Sequence, residues 1–455
     1  MASRLGRAAA YGIGDFGLNL YWNASALFLV FWYVNVAGLP PQTAGLIFAI
    51  GLVGDFLLDP VVASLAERVQ SPMGTYRPFL LVGAPLLGGS FALLFVLPSV
   101  SDGAAVLFFL ATLLVFRASY TLVSVPYSAL ASRLTFVSEE RTEIAGVRMF
   151  FALSGLLLVA AAYQPLADAF AVDGSEGFFS AATITAALAT MAIMTCGLLS
   201  HELPPPGATS SARAGVAAFA TQLRTNDALR IFLGAVLFQA SAAALLLILL
   251  PFYLEIQEPG SGGGTLIGYA LGNVLAVPLW TLTARRIGKR RTWFISGGVV
   301  VLSGLVLASG GTWQIASVPL AVLSMGVGFA AFAVLVWAIA PDVVEYGQAG
   351  SGRRSEAPVF ALLLMTQKLA GGFTALAAGA LIAWSGYEPG RPVQHEAVAM
   401  RLGLVFTLLP AGLVGLSCIF INWFPLNRNI HREIIKRLQE DDGAKATEES
   451  SRCRI

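Results

Sequence analysis

Long apolar blocks alternate with short polar or Gly/Pro-rich breaks along nearly the whole chain. They run at about 9–37, 43–66, 78–99, 104–132, 143–165 and 177–199, then at about 228–254, 265–284, 293–309, 314–341, 358–384 and 398–424. Most reach the roughly 20 residues that a helix needs to cross the hydrocarbon core of a bilayer. The pattern therefore predicts an all-α membrane protein with twelve transmembrane helices. Only the break at 200–227, "SHELPPPGATSSARAGVAAFATQLRTND", is long, and it reads as a polar linker between two six-helix halves. The predicted organisation is an N-terminal half over 1–200, a cytoplasmic linker over 201–227, a C-terminal half over 228–424 and a cytoplasmic tail over 425–455.

The halves echo one another weakly. Each carries a basic loop after its second helix, "ERVQSPMGTYRP" at 67–78 and "RRIGKRRTW" at 285–293. Two such halves, related by an axis along the membrane normal, are the plan of major facilitator transporters. Basic residues set the orientation. Arg4, Arg7, Arg68, Arg77, Arg133, Arg141, Arg213, Arg224, the cluster at 285–291, Arg353, Arg354 and the tail fall on one side. The opposite loops hold mainly Asp102, Asp168, Asp173, Glu176 and Glu258, with Arg391 and Arg401 as exceptions. Both termini are expected in the cytoplasm, across a cell membrane such as the bacterial inner membrane.

Composition narrows the partners. The 455 residues are 56% hydrophobic and 12% charged, about half the charged share of a soluble protein. A net charge of +2 gives no reason to expect nucleic acid. The opening "MASRLGRAAAYGIG" has no short apolar region with a cleavage site, so the first block is expected to stay as a helix. Cys196, Cys418 and Cys453 are too few and too scattered for a disulfide framework and read as free thiols. His201, His395 and His431 fall in predicted loops or the tail, which argues against a histidine metal site. In the tail, Ile430, Ile434, Ile435 and Leu438 are spaced for a short interfacial helix, to which no chemistry is assigned.

Charges inside the spans carry the candidate chemistry. Asp55 and Asp59 stand four residues apart, so they share one helix face about 6 Å apart along the axis. A carboxylate at membrane depth costs roughly 2.5–3.5 kcal/mol on insertion scales. Two of them in a poor dielectric cannot both stay ionised without a cation or a shared proton. H⁺ or Na⁺ would relieve the repulsion, so the pair is a candidate site for an exchangeable cation. The competing reading is structural, with one aspartate paired to a basic neighbour and the other protonated. Lys368, deep in the eleventh helix, needs a counter-charge, and the aspartates are the natural candidates. Arg117 shares a face of the fourth helix with Thr121 and Ser124. It either pairs with Asp55 or Asp59 or waits for an anionic group on a substrate. Asp15 lies on a face with Tyr11 and Asn19 and could be gate, substrate contact or packing anchor; Arg148 reads as a charge near the cytoplasmic start of the fifth helix.

These segments resemble the glycoside–pentoside–hexuronide:cation symporters, the melibiose-permease branch of the major facilitator superfamily. "YGIGDFGLNL" (11–20) is similar to the family's opening, "DFLLDP" (55–60) to its two-aspartate cation motif and "GTYRPFLLVG" (74–83) to its loop after the second helix. "VPYSAL" (125–130) and "ERTEIAGVRMFF" (140–151) resemble its fourth and fifth helices. "VWAIAPDVVEYGQAGSGRRSEA" (336–357) resembles its signature between helices ten and eleven, and Lys368 falls at its lysine. The resemblance implies symport, with Asp55 and Asp59 binding the coupling cation, Thr121 lending an oxygen and Lys368 bridging the halves. The departures are specific. Leu58 stands where the sodium-coupled permease has an asparagine, which favours H⁺ over Na⁺. Leu52 replaces the arginine three residues before the first aspartate, a charge that Arg117 can replace. Asn19 and Ser124 stand where two carboxylates grip a galactoside, and with Arg117 added the pocket tilts towards anions such as a uronic acid.

The sequence thus predicts a monomeric carrier of a sugar, glycoside or sugar acid, needing no cofactor beyond its coupling ion, H⁺ or Na⁺. A second reading keeps the superfamily and changes the cargo to a lysophospholipid. A third, a membrane-embedded enzyme or sensor, lacks support, because no span holds a histidine and no stretch is long enough for a signalling domain.

Overall fold

A computed structural model describes residues 4–69, 71–99, 102–134, 138–171, 176–203, 216–257, 263–309, 317–351, 356–391, 393–426, 430–434 and 436. Asp173, Arg213, Glu258, Arg353, Arg354, Leu438 and Cys453, considered above, lie outside the described residues, as does Ile435.

The apolar blocks fold as helices. The first is a rod in three pieces: α1 (Arg4–Ala24), a π-helical turn (Ser25–Leu29) and α2 (Val30–Asn35). The N-terminal half continues with α3 (Pro41–Arg68), α4 (Arg77–Leu93), α5 (Asp102–Leu130), α6 (Ser138–Ala169) and α7 (Glu176–Leu199). After α8 (Val216–Thr225) come α9 (Asp227–Gln257), α10 (Gly263–Ile287), α11 (Lys289–Ala308), α12 (Ser317–Ser351), α13 (Glu356–Ser385) and α14 (Glu396–Asn422). Counting the first rod as one and leaving α8 aside, twelve helical spans result. Ten helices among the described residues are long and apolar enough to cross a bilayer.

Two sequence boundaries shift. The interval read as plain linker contains α8, and Asn226 explains why it docks. Its side chain accepts the amide of Leu229 at 3.0 Å, capping α9, and donates to the Val343 carbonyl of α12 at 3.1 Å. The tenth span, expected to stop near 341, runs through Pro341 to Ser351. Lys289 holds that extension, donating to Asp342 at 2.6 Å and to the Ala338 carbonyl at 2.7 Å.

Helices pack largely within each half: α1 on α6 and α7, α4 on α5 and α7, then α10 and α11 on α12, and α9 on α13 and α14. The halves meet where α3 lies along α13 and α6 along α10. The α3–α13 crossing is set by small residues. A Cβ on Gly45 would stand 2.5 Å from the Ala375 carbonyl oxygen, and one on Gly371 would meet Leu52 at 3.2 Å. Gly379 packs on the backbone of Pro41. The helices therefore run antiparallel in close contact, a register that carries Lys368 to the level of Asp59.

The loop after α3 is pinned to the end of the N-terminal half. Glu202 accepts the amides of Thr75 and Tyr76 at 2.9 and 3.0 Å, and Arg77 donates to the carbonyls of Gly197 and Leu198 at 2.8 and 3.0 Å. Gly74 sits at φ +106° with the Glu202 carboxylate where a side chain would stand, so glycine suits both its conformation and its space.

Candidate cation site and central cavity

Close contact of α3 with α5 brings two polar faces together. A Cβ on Gly51 would be 2.8 Å from Leu113 Cδ2, and at this crossing Arg117 reaches Asp55, its Nη1 donating to Oδ2 at 3.2 Å. Trp22, Phe48 and Phe116 enclose the guanidinium, their ring centroids 5.4, 5.2 and 5.8 Å from Cζ. One turn along, Thr121 donates to Asp59 Oδ1 at 3.4 Å, and Lys368 donates from α13 to Asp59 Oδ2. The sequence left open which aspartate Arg117 pairs with. The fold assigns it Asp55, while Lys368 crosses the interface to Asp59.

A third pair joins α1 to α6. Arg148 of α6 donates from Nε to Asp15 Oδ2 at 3.0 Å and from Nη2 to Oδ1 at 3.4 Å, with its guanidinium over the Tyr127 ring. Tyr11 and Tyr127 stack beside it, centroids 4.5 Å apart. Asn19 spends its amide on the Asp15 carbonyl at 2.9 Å. Ser124 is half-buried and makes no hydrogen bond among the described residues. In all three pairs each cation is matched by one carboxylate: Arg117 with Asp55, Lys368 with Asp59 and Arg148 with Asp15.

Between the halves lies a cavity of about 190 Å³, lined by Asn23, Gln239, Asn273, Gln367, Tyr269 and Trp337 among others, and by no charged side chain among the described residues. Gln239 is only 8% exposed, and its amide has no protein partner among the described residues. None of the sequence-chosen residues lines this cavity, although Gln367 adjoins Lys368 and Asn23 bonds back to the Asn19 carbonyl at 2.8 Å. The sequence did carry a signal for it: solitary amides inside apolar spans, as in "VLFQASAA" and "ALGNVLAV", where an unsatisfied polar group is costly.

Two further clusters were missed. Where α2, α9 and α13 end, Tyr387 donates to Asn35 at 2.7 Å and to Glu255 at 3.4 Å, with Phe252 edge-on to its ring. At the opposite end of the C-terminal half, His431 lies 2.6 Å from Glu345 and 3.5 Å from Asp342. This gives the tail a contact that sequence reasoning did not assign.

Twelve helical spans around an interfacial cavity, with three ion pairs between helices, define a secondary transporter of the major facilitator fold. Residues 10–428 match the family model described as MFS/sugar transport protein, and the chain belongs to that family. It is a membrane transporter, not an enzyme. Its relatives support the glycoside–pentoside–hexuronide symporter resemblance. It is 24% identical to the Bacillus subtilis "Uncharacterized symporter YjmB" over 95% of this chain and 94% of that one. It is 27% identical to the Escherichia coli "Glucuronide carrier protein homolog", with 93% of each chain covered. Among solved structures, the inward-open xylose transporter XylE from E. coli superposes with a TM-score of 0.69 at 14% identity, covering 96% of this chain and all of that one.

Proposed function

We propose that the protein imports a small neutral polyhydroxylated solute, a sugar or glycoside, in symport with a cation, and that the cation is H⁺. The observation that carries the substrate class is the cavity. Its amides offer paired donors and acceptors for hydroxyl groups, and its aromatic faces suit a sugar ring. Charge matching argues against the uronic acid towards which the sequence leans. Arg117 is already committed to Asp55, and no cationic side chain among the described residues lines the cavity. A volume of about 190 Å³ lies below the roughly 300–1,000 Å³ typical of drug-sized sites, which counts against a lysophospholipid.

Proton coupling is supported at Asp59. Its carboxylate holds Lys368 across the interface between the halves, so a proton arriving there would release the lysine and loosen α3 from α13. Leu58 beside it adds no oxygen for Na⁺. In this reading the chain lies in a bacterial inner membrane with both termini in the cytoplasm. The end of the bundle that carries Tyr387 then faces outward.

The test is uptake into proteoliposomes. Methyl glycosides should accumulate under an inward proton gradient without Na⁺, and matching uronic acids should compete poorly. A strict Na⁺ requirement would overturn the ion, and preferential uptake of uronates the substrate class.

A further inference from the structure

We infer that Arg117 is a resident cation standing where an exchangeable ion would sit on Asp55, so that Asp59 alone of the two aspartates exchanges the coupling ion. The inference deepens the coupling reading above and rests on it. It departs from the two-carboxylate site that the motif "DFLLDP" implies.

Accessibility separates the two aspartates. The side chains of Arg117 and Asp55 are each 2% exposed, whereas those of Lys368 and Asp59 are 22% and 31% exposed. An ion can approach Asp59 without breaking the helix packing, but would have to cross it to reach Asp55. The guanidinium beside Asp55 also cannot leave readily. Three aromatic rings surround it, and removing a cation from such a desolvated setting forfeits cation–π attraction as well as the ion pair. Arginine does not deprotonate in proteins, so its charge persists through a transport cycle. Lysine at 368 differs on each count: it is partly exposed, flexible and drawn from the other half.

Asp55 Oδ1 and Arg117 Nε are both buried without a hydrogen-bond partner among the described residues, so the pair is held by its charges and the single Nη1–Oδ2 bond. By exposure and packing, Asp55 serves to neutralise and fix Arg117 and takes no exchangeable ion itself.

Carbodiimide labelling tests this without knowledge of the substrate, because dicyclohexylcarbodiimide modifies carboxyl groups that carry a proton. In the purified full-length protein, Asp59 should label about tenfold or more over Asp55, and the label should decline as pH rises. Arg117→Gln should make Asp55 reactive. Comparable labelling of Asp55 and Asp59 in the parent would overturn the inference. Silence at both would count against Asp59 as the coupling group, and the lock on Asp55 would then stand or fall with the Arg117→Gln result. A neutral pair supplies a second reading should that single change fail to fold. The double variant Asp55→Asn with Arg117→Gln should still accumulate a methyl glycoside under a proton gradient to within about threefold of the parent, since both buried charges leave together. A folded double variant that only equilibrates the glycoside would overturn the inference.

Discussion

Tyr387 donates a 2.7 Å hydrogen bond to Asn35 across the interface between the two halves, and its hydroxyl also reaches Glu255 at 3.4 Å. Phe31 and Phe252 meet nearby with ring centroids 5.2 Å apart. This end of the interface between the halves is therefore held by a polar pin set among aromatic rings. Tyr387→Phe keeps the ring and removes the pin. At about 0.5–1.5 kcal/mol for the lost bond, the balance should move up to about tenfold towards the state open on this side. Spin labels on α2 and α9 would report it, and an unchanged distance distribution would mean that the pin does not gate.

Asp59→Asn should abolish accumulation of a methyl glycoside against its gradient while leaving exchange across the membrane. The amide can occupy the space but cannot take and release a proton. Counterflow and gradient-driven uptake, compared in the same vesicles, separate these outcomes. Equal loss of both would point to a folding defect or a substrate contact instead.

Arg117→Ala should destabilise the protein by about 3–5 kcal/mol, because it leaves Asp55 buried and uncompensated. Adding Asp55→Asn should restore much of that loss, and adding Asp59→Asn should not. A thermal scan of the four proteins reads the difference. Rescue by the Asp59 change would place Arg117 on the wrong partner.

Gly379→Val would push a branched side chain into the backbone of Pro41 on α3. Overpacking of this kind costs about 1–3 kcal/mol, and here it should also part α3 from α13. Lowered thermal stability together with weakened coupling is expected. Lowered stability with coupling intact would show that the crossing does not set the Lys368–Asp59 contact.

Gln239→Leu should raise the apparent KM for a methyl glycoside about tenfold with little change in maximal rate, as loss of a ground-state hydrogen bond does. The residue is buried at the cavity wall, far in sequence from the aspartates, so coupling should persist. An unaltered KM would remove the cavity from the binding site.

Hydropathy is a local property, and so the sequence by itself determined the twelve spans, and fixed i,i+4 geometry put Asp55 and Asp59 on one face. The cost of a charge in hydrocarbon likewise marked Arg117 and Lys368 as groups needing partners. Which partner each takes was decided only by the fold. Arg117 is 62 residues from Asp55, and Lys368 is 309 from Asp59, so the choice depends on how Gly45, Gly51 and Gly379 let helices approach. The cavity belongs to the same class of fact. Asn23, Gln239, Asn273 and Gln367 are single amides on four helices, and only packing of the two halves makes them one surface. The continuation of α12 through Pro341 was also beyond local reading, because Lys289 of α11 holds the helix where proline would favour a break.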